Sequence, residues 1–139
     1  MAYIKKIDHI GIVVADMRDA IEAYKKLLLK APSHLERHEA AKVDLAFFDV
    51  GDIQVELLAP CAPDSEVSSF LEKTGGGIQH ICFEVEGIEE ILEALKKKGM
   101  KLIDEQPRPG SRGSKVAFVD PESAKGVYIE YCEFPKLKT

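Results

Sequence analysis

An α+β fold of two fused β-α-β-β-β modules is what this sequence predicts, and three observations predict it. The segment Ile7-Asp8-His9-Ile10-Gly11-Ile12-Val13-Val14 returns as Ile78-Gln79-His80-Ile81-Cys82-Phe83-Glu84-Val85. Each copy is followed by a stretch with helical spacing of its apolar residues. Each module also closes on a matched pair, Asp52-Ile53-Gln54-Val55-Glu56 in the first and Gly126-Val127-Tyr128-Ile129-Glu130 in the second. The second module therefore reads as a copy of the first, and the two are expected to form one curved mixed sheet. The 139 residues suit a single domain, with module one over about 3–62, a linker helix over about 64–75 and module two over about 76–134.

Taken in order, residues 3–14 read as a strand from their β-branched and apolar content. Asp16 is positioned to cap a helix over 17–30, with Met17, Ile21, Tyr24, Leu27 and Leu28 near one face and Pro32 beyond its end. A short polar strand over 34–39 and a longer apolar one over 42–50 follow, and Gly51-Asp52 turns the chain into a strand over 53–58. Asp64 or Ser65 can cap the linker helix, which carries Val67, Phe70 and Leu71 and ends at Gly75-Gly76-Gly77. Three glycines also suit a phosphate-cradling loop, but no Lys-Ser or Lys-Thr follows, so the run reads as a seam between modules.

The second helix is expected over 88–98, with Ile88, Ile91, Leu92 and Leu95 inward and Gly99 as its stop. Residues 101–105 read as the short strand, then Pro107-Arg108-Pro109-Gly110-Ser111-Arg112-Gly113 as a loop, then strands over 115–120 and 127–133. The tail over 134–139 is expected to fray.

Strand parity turns this layout into chemistry. Side chains alternate between the two faces of a strand, so Ile10, Ile12 and Val14 oppose His9, and Ile81, Phe83 and Val85 oppose His80. The same rule sets Ile53, Val55 and Leu57 against Glu56, and Val127, Ile129 and Tyr131 against Glu130. One face of every strand is apolar enough to sit on helices, while the other carries His9, Glu56, His80 and Glu130. Carboxylates in such strands are expensive to bury unless paired or bound to a cation. Imidazole nitrogens with carboxylate oxygens suit a divalent transition metal, and a set without cysteine fits an open catalytic centre better than a closed structural zinc site. The competing arrangement is two His–Glu hydrogen bonds in a cavity without metal.

The totals narrow the function further. A formal net charge of -5 and a pI near 5.4 argue against nucleic acid as the main partner. No apolar run reaches membrane-span length and the start lacks signal-peptide character, so a cytoplasmic location is expected. Cys61, Cys82 and Cys132 are odd in number and lack C-x-x-C spacing, which suits small reduced residues. His34 and His38 have no counterpart in the repeat and read as rim residues.

The modules and their His and Glu positions resemble the vicinal oxygen chelate superfamily, and several segments are similar to the methylmalonyl-CoA epimerase family within it. Those segments are Ile7-Asp8-His9-Ile10-Gly11, Val55-Glu56-Leu57-Leu58-Ala59-Pro60, Phe70-Leu71-Glu72-Lys73, Gly77-Ile78-Gln79-His80-Ile81, Leu102-Ile103-Asp104-Glu105 with Pro107-Arg108, and Gly126-Val127-Tyr128-Ile129-Glu130. Together they span nearly the whole chain. The resemblance implies a divalent cation such as cobalt, nickel, manganese or zinc at His9, Glu56, His80 and Glu130. It also implies an acyl-CoA substrate inverted at its α-carbon, and a homodimer.

Glu130 and, less directly, Asp44 are the candidate proton-transfer groups. Arg108, Gly110, Ser111 and Arg112 are candidates for substrate binding. The chain departs from the family pattern at Gln79, where a histidine is common, at Arg112, where a small residue is common, and at Leu45, where some members carry a glutamate. The adjacent Asp44 has the opposite parity. A glyoxalase-I-like isomerase would use the same four ligands, and a metal-free binding protein of the same fold would dispense with them.

Overall fold

In a computed structural model, which describes residues 1–136, the chain forms β1 (Tyr3–Val13), α1 (Met17–Leu28), β2 (His34–His38), β3 (Val43–Val50), β4 (Ile53–Pro60), α2 (Ser68–Thr74), β5 (Gly77–Glu86), α3 (Ile88–Lys97), β6 (Arg108–Pro109), β7 (Lys115–Val119) and β8 (Tyr128–Glu133). Two compact units result. One is His9–Gln79; the other joins Met1–Asp8 to the chain from His80 onward. Strand β1 thus gives its start to the second unit and its end to the first. The expected tail lies partly outside the described residues, which stop short of Leu137, Lys138 and Thr139.

In the first unit the strands run β2-β3-β4-β1, with β1 parallel to β4 and the other neighbours antiparallel. Helix α1 forms where expected because Asp16 Oδ1 accepts the Asp19 N–H at 3.0 Å. It stops at Leu29, in the left-handed region at φ 61°, slightly before the expected end at Lys30. Met17, Ile21, Tyr24 and Leu28 pack with Ile12, Val14, Val55, Leu57, Ala46 and Phe48. That set matches the apolar parity of β1 and β4. Leu27, expected on the same face, is 68% exposed, being rotated past the edge of the stripe.

The other face of this unit is also covered. Val13, Val43, Leu45, Phe47 and Leu58 pack with Val67, Phe70 and Leu71 of the α2 segment. The linker helix begins later than expected, at Ser68, because the Ser65 hydroxyl accepts the Val67 N–H and the preceding residues form a tight turn. At its far end Gly76 is required: a Cβ there would lie 2.7 Å from the Val13 carbonyl oxygen, at φ +105°. The glycine run is therefore set by backbone packing.

In the second unit the order is β1-β5-β8-β7-β6, with β5 parallel to β8 and β7 antiparallel to both β8 and β6. Ile88, Ile91 and Leu92 of α3 pack with Phe83, Val85, Leu102, Ala117 and Tyr131. The opposite face holds Cys82, Val116 and Cys132, with Phe134 against them, so the start of the tail is packed.

The short strand of this unit is not at 101–105. Only Leu102 bridges, to Val119, and the ladder resumes at Arg108–Pro109 opposite Val116 and Lys115. The cause is Asp104, whose Oδ2 accepts the Phe118 N–H at 2.9 Å and so takes the place of a strand carbonyl. Proline at 107 and 109 further shortens the ladder by removing donors.

Candidate active site

Each unit builds the same pair. The parallel register sets His9 opposite Gln54 and Gly11 opposite Glu56, so the glutamate stands two residues further along on the same face. In the second unit His80 faces Tyr128 and Cys82 faces Glu130, the identical offset. His9 Nε2 lies 3.4 Å from Glu56 Oε1, and His80 Nε2 lies 3.2 Å from Glu130 Oε1. All four residues are buried.

The donor set fits a cation within each unit. Around an ion with bonds of about 2.1 Å, neighbouring donor atoms sit roughly 3.0–3.4 Å apart. Both pairs fall in that interval, and nitrogen with oxygen is the combination that divalent transition metals accept.

A third member of the repeat escapes a linear reading. Phe47 stands opposite Glu56 on β3, and Phe118 stands opposite Glu130 on β7. Each ring meets its histidine at right angles: His9–Phe47 at 6.2 Å and 89°, His80–Phe118 at 5.6 Å and 84°. Such edge contacts hold an imidazole in one orientation. The signal in the sequence is a phenylalanine in the strand before each acid. It is obscured because β7 and β8 are joined by a longer connection than β3 and β4.

Outward from these rings the units diverge. In the first, His34 packs at 5.7 Å against Phe47, and its Nε2 lies 2.9 Å from Glu36 Oε1. In the second, the Arg108 guanidinium lies 5.6 Å over Phe118, and its Nε donates to Asp104 Oδ1 at 3.0 Å. Asp104 therefore holds both the arginine and the backbone of β7.

The remaining expected residues are placed as follows. Asp44 stands on the face of β3 opposite Leu45 and Phe47, where Arg37 grips it with two bonds of 2.7 and 3.0 Å. Its parity carries it away from Glu56, which leaves it an ion-pair residue. Gly110 is sterically required, since a Cβ would meet Val116 Cγ1 at 2.4 Å. The Ser111 carbonyl accepts from the Ser114 hydroxyl at 2.8 Å. Arg112 sits in the left-handed region at φ 56°, donates to Asp8 Oδ2 at 2.6 Å, and lies 5.1 Å over Phe134.

The thiols are all unbridged, with Cys82 and Cys132 buried and Cys61 half-buried. Burial pushes the Cys82 thiol up from its ordinary range, with Cys132 beside it acting in the same direction.

Comparison with known proteins places this geometry in a family. Residues 8–118 match the Glyoxalase/Bleomycin resistance protein/Dioxygenase superfamily model. The chain is 43% identical over 128 residues to the protein YqjC of Bacillus subtilis, covering 92% of this chain and 91% of that one. It is 33% identical over 132 residues to the ethylmalonyl-CoA/methylmalonyl-CoA epimerase of Cereibacter sphaeroides, covering 91% and 96%. The Streptomyces coelicolor methylmalonyl-CoA epimerase, solved in complex with 2-nitronate-propionyl-CoA, superposes with a TM-score of 0.89 at 30% identity over 99% of both chains. With the fold, the duplicated His–Glu pairs and these relatives in agreement, the chain belongs to the glyoxalase/bleomycin resistance/dioxygenase superfamily and, within it, to the methylmalonyl-CoA epimerase family of isomerases.

Proposed function

We propose that this protein interconverts the (2R) and (2S) forms of methylmalonyl-CoA, with His9, Glu56, His80 and Glu130 together holding one divalent cation. The observation that carries this reading is the identical His–Glu offset in the two units, in a chain whose relatives include named epimerases of acyl-CoA substrates. Four protein donors leave coordination positions for two oxygens of a substrate. Bound there, cobalt, nickel, manganese or zinc would supply Lewis-acid stabilisation of the negative charge that develops on a thioester oxygen.

The chain's own residues do the rest. An α-proton beside a thioester is too weakly acidic for a carboxylate to remove quickly unless the enolate is stabilised. Glu130 is assigned the proton transfer on one face of the α-carbon, a role supported by its buried carboxylate beside His80. Phe47 and Phe118 keep the two imidazoles oriented and water out. Arg108 of β6 and Gly110, Ser111 and Arg112 after it are assigned to the substrate's carboxylate or phosphates. Asp104 and Asp8 limit how far the two guanidinium groups can move toward an anion. Asp44 receives no proton-transfer role, because it faces away and is held by Arg37.

No helix among the described residues is long and apolar enough to cross a membrane. A cytoplasmic homodimer completes the reading by family resemblance. The test is α-proton exchange into methylmalonyl-CoA in deuterated water, with and without chelator, run beside a methylglyoxal-plus-glutathione assay. Exchange that stops on metal removal and returns with cobalt or zinc is the expected result. Exchange that survives complete metal removal rejects the metal-dependent mechanism. Turnover of the hemithioacetal alone assigns the chain to glyoxalase-type isomerisation.

A further inference from the structure

One face of the second unit carries more than its histidine and glutamate. Strand register sets Arg108 opposite Val116, Phe118 opposite Glu130, and Glu130 opposite Cys82. Side chains two residues apart on a strand share a face, so Arg108, Phe118, Glu130 and His80 all belong to this one.

Two arginines of this unit are each held by an aspartate and each lie over a phenylalanine. They differ in position. Arg108 lies over Phe118, directly across from Glu130, whereas Arg112 lies over Phe134, which is roughly 13 Å of extended chain beyond Glu130.

Asp104 fixes the nearer guanidinium with both of its oxygens. Oδ1 accepts from Arg108 Nε at 3.0 Å. Oδ2 accepts the N–H of Phe118 at 2.9 Å, the residue whose ring the guanidinium covers at 5.6 Å. The same ring meets His80 at 5.6 Å and 84°. The carboxylate therefore ties Arg108 to the strand position that faces Glu130. Phe118 is half-buried and the Arg108 side chain is 33% exposed, so a guest can reach both. With Nε given to Asp104, recognition of an anion falls to the terminal amino groups, whose fork matches the two oxygens of a carboxylate.

An acyl-CoA whose thioester lies beside His80 and Glu130 brings two kinds of anion. Its phosphates stand at the far end of the pantetheine arm, whose extended length is roughly 14 Å, the reach of about four residues of polypeptide. The free carboxylate of a malonyl-type acyl group is bonded to the α-carbon itself. A guanidinium one ring away from His80 suits the nearer anion. We propose that Arg108, positioned by Asp104, recognises the substrate's free carboxylate and separates carboxylated acyl-CoA from plain acyl-CoA. The proposal rests on the epimerase reading and names the group within that substrate that the second unit reads.

The experiment uses the intact cobalt-loaded protein and measures calorimetric affinity for equilibrated methylmalonyl-CoA and for propionyl-CoA, which differ only in the carboxylate. Arg108→Gln is expected to weaken methylmalonyl-CoA binding by about tenfold or more while propionyl-CoA stays within about twofold. Asp104→Asn should shift the same preference in the same direction by about threefold, since a neutral amide grips Nε less firmly. Asp104 also holds the backbone of β7, so Arg108→Gln, which leaves that bond in place, keeps the test independent of folding. Far-UV circular dichroism checks both variants.

Equal losses for the two thioesters in Arg108→Gln would mean that this arginine reads the phosphates, and they overturn the proposal. A selective loss in Arg112→Gln instead of Arg108→Gln overturns it as well. Unmodified protein that fails to invert methylmalonyl-CoA in deuterated water overturns the epimerase reading and this inference with it. Unmodified protein that inverts it, while Arg108→Gln keeps the full preference for the carboxylated thioester, overturns this inference alone.

Discussion

The two units can be compared residue by residue. Both carry histidine and glutamate at the same register offset, and both set a phenylalanine ring at right angles to the histidine. They part company one strand further out, where the first unit has the His34–Glu36 pair and the second has Arg108 fixed by Asp104. The repeat is retained at the buried His–Glu pair of each unit. It is lost one strand further out, where the side chains are partly exposed. An imidazole held by a carboxylate in one unit and a guanidinium held by a carboxylate in the other are different chemistries on the equivalent phenylalanine.

The largest effect should come from breaking the repeat at its centre. Replacing His9 or His80 by alanine removes one donor of the proposed set from either half. Turnover is expected to fall by about 10³-fold or more in both cases, with weaker cobalt binding by calorimetry. Equal losses support one shared centre. A variant that keeps full metal affinity while its counterpart loses it would show that the halves do not share an ion.

The next effect separates the two aromatic rings. Phe47 is fully buried whereas Phe118 is only half-buried. Phe47→Ala should cost about 3–5 kcal/mol in urea unfolding, the range for emptying a large core site, and Phe118→Ala clearly less. If Phe118→Ala proves the costlier, the second unit is the better packed of the two, contrary to this comparison.

A similar contrast explains what the sequence discloses and what it hides. Helix α1 announces its start through its own Asp16, three residues before the N–H it binds. Helix α3 follows Gly87 with no side-chain cap of its own. Its first N–H groups, from Gly87 and Ile88, are taken by Glu133 of β8 at 3.0 and 3.1 Å. No window along the chain joins residues so far apart. Likewise the parity of β1, β4, β5 and β8 was legible because one face of each is apolar. The strand at 101–105 was misplaced because a side chain, Asp104, replaced a backbone partner.

The four His and Glu positions emerged from duplication. Phe47 and Phe118 did not, since unequal connections disguise their equivalence. His34 stood out as unrepeated, but only cross-strand register shows that it rests on Phe47. The caps can be tested directly: Asp16→Ala and Glu133→Ala should each lower stability by about 1 kcal/mol in urea titrations, although one cap is local and the other is not.

The smallest effect concerns the acids of β3 and β4, and it is the sharpest check on face assignment. Asp44 and Glu56 are both carboxylates in strands of the first unit, yet Glu56 is buried beside His9 whereas Asp44 is half-exposed beside Arg37. An exposed ion pair of this kind contributes about 0–1 kcal/mol, because solvent screens it and ordering two side chains offsets the attraction. Asp44→Asn should therefore leave turnover within about twofold and unfolding within about 0.5 kcal/mol. Glu56→Gln should retain the fold but weaken metal binding by about 10-fold or more, since a neutral oxygen replaces an anionic donor. A large kinetic loss in Asp44→Asn would mean that β3 presents its acid to the substrate, and the parity that organises both halves of this chain would be wrong.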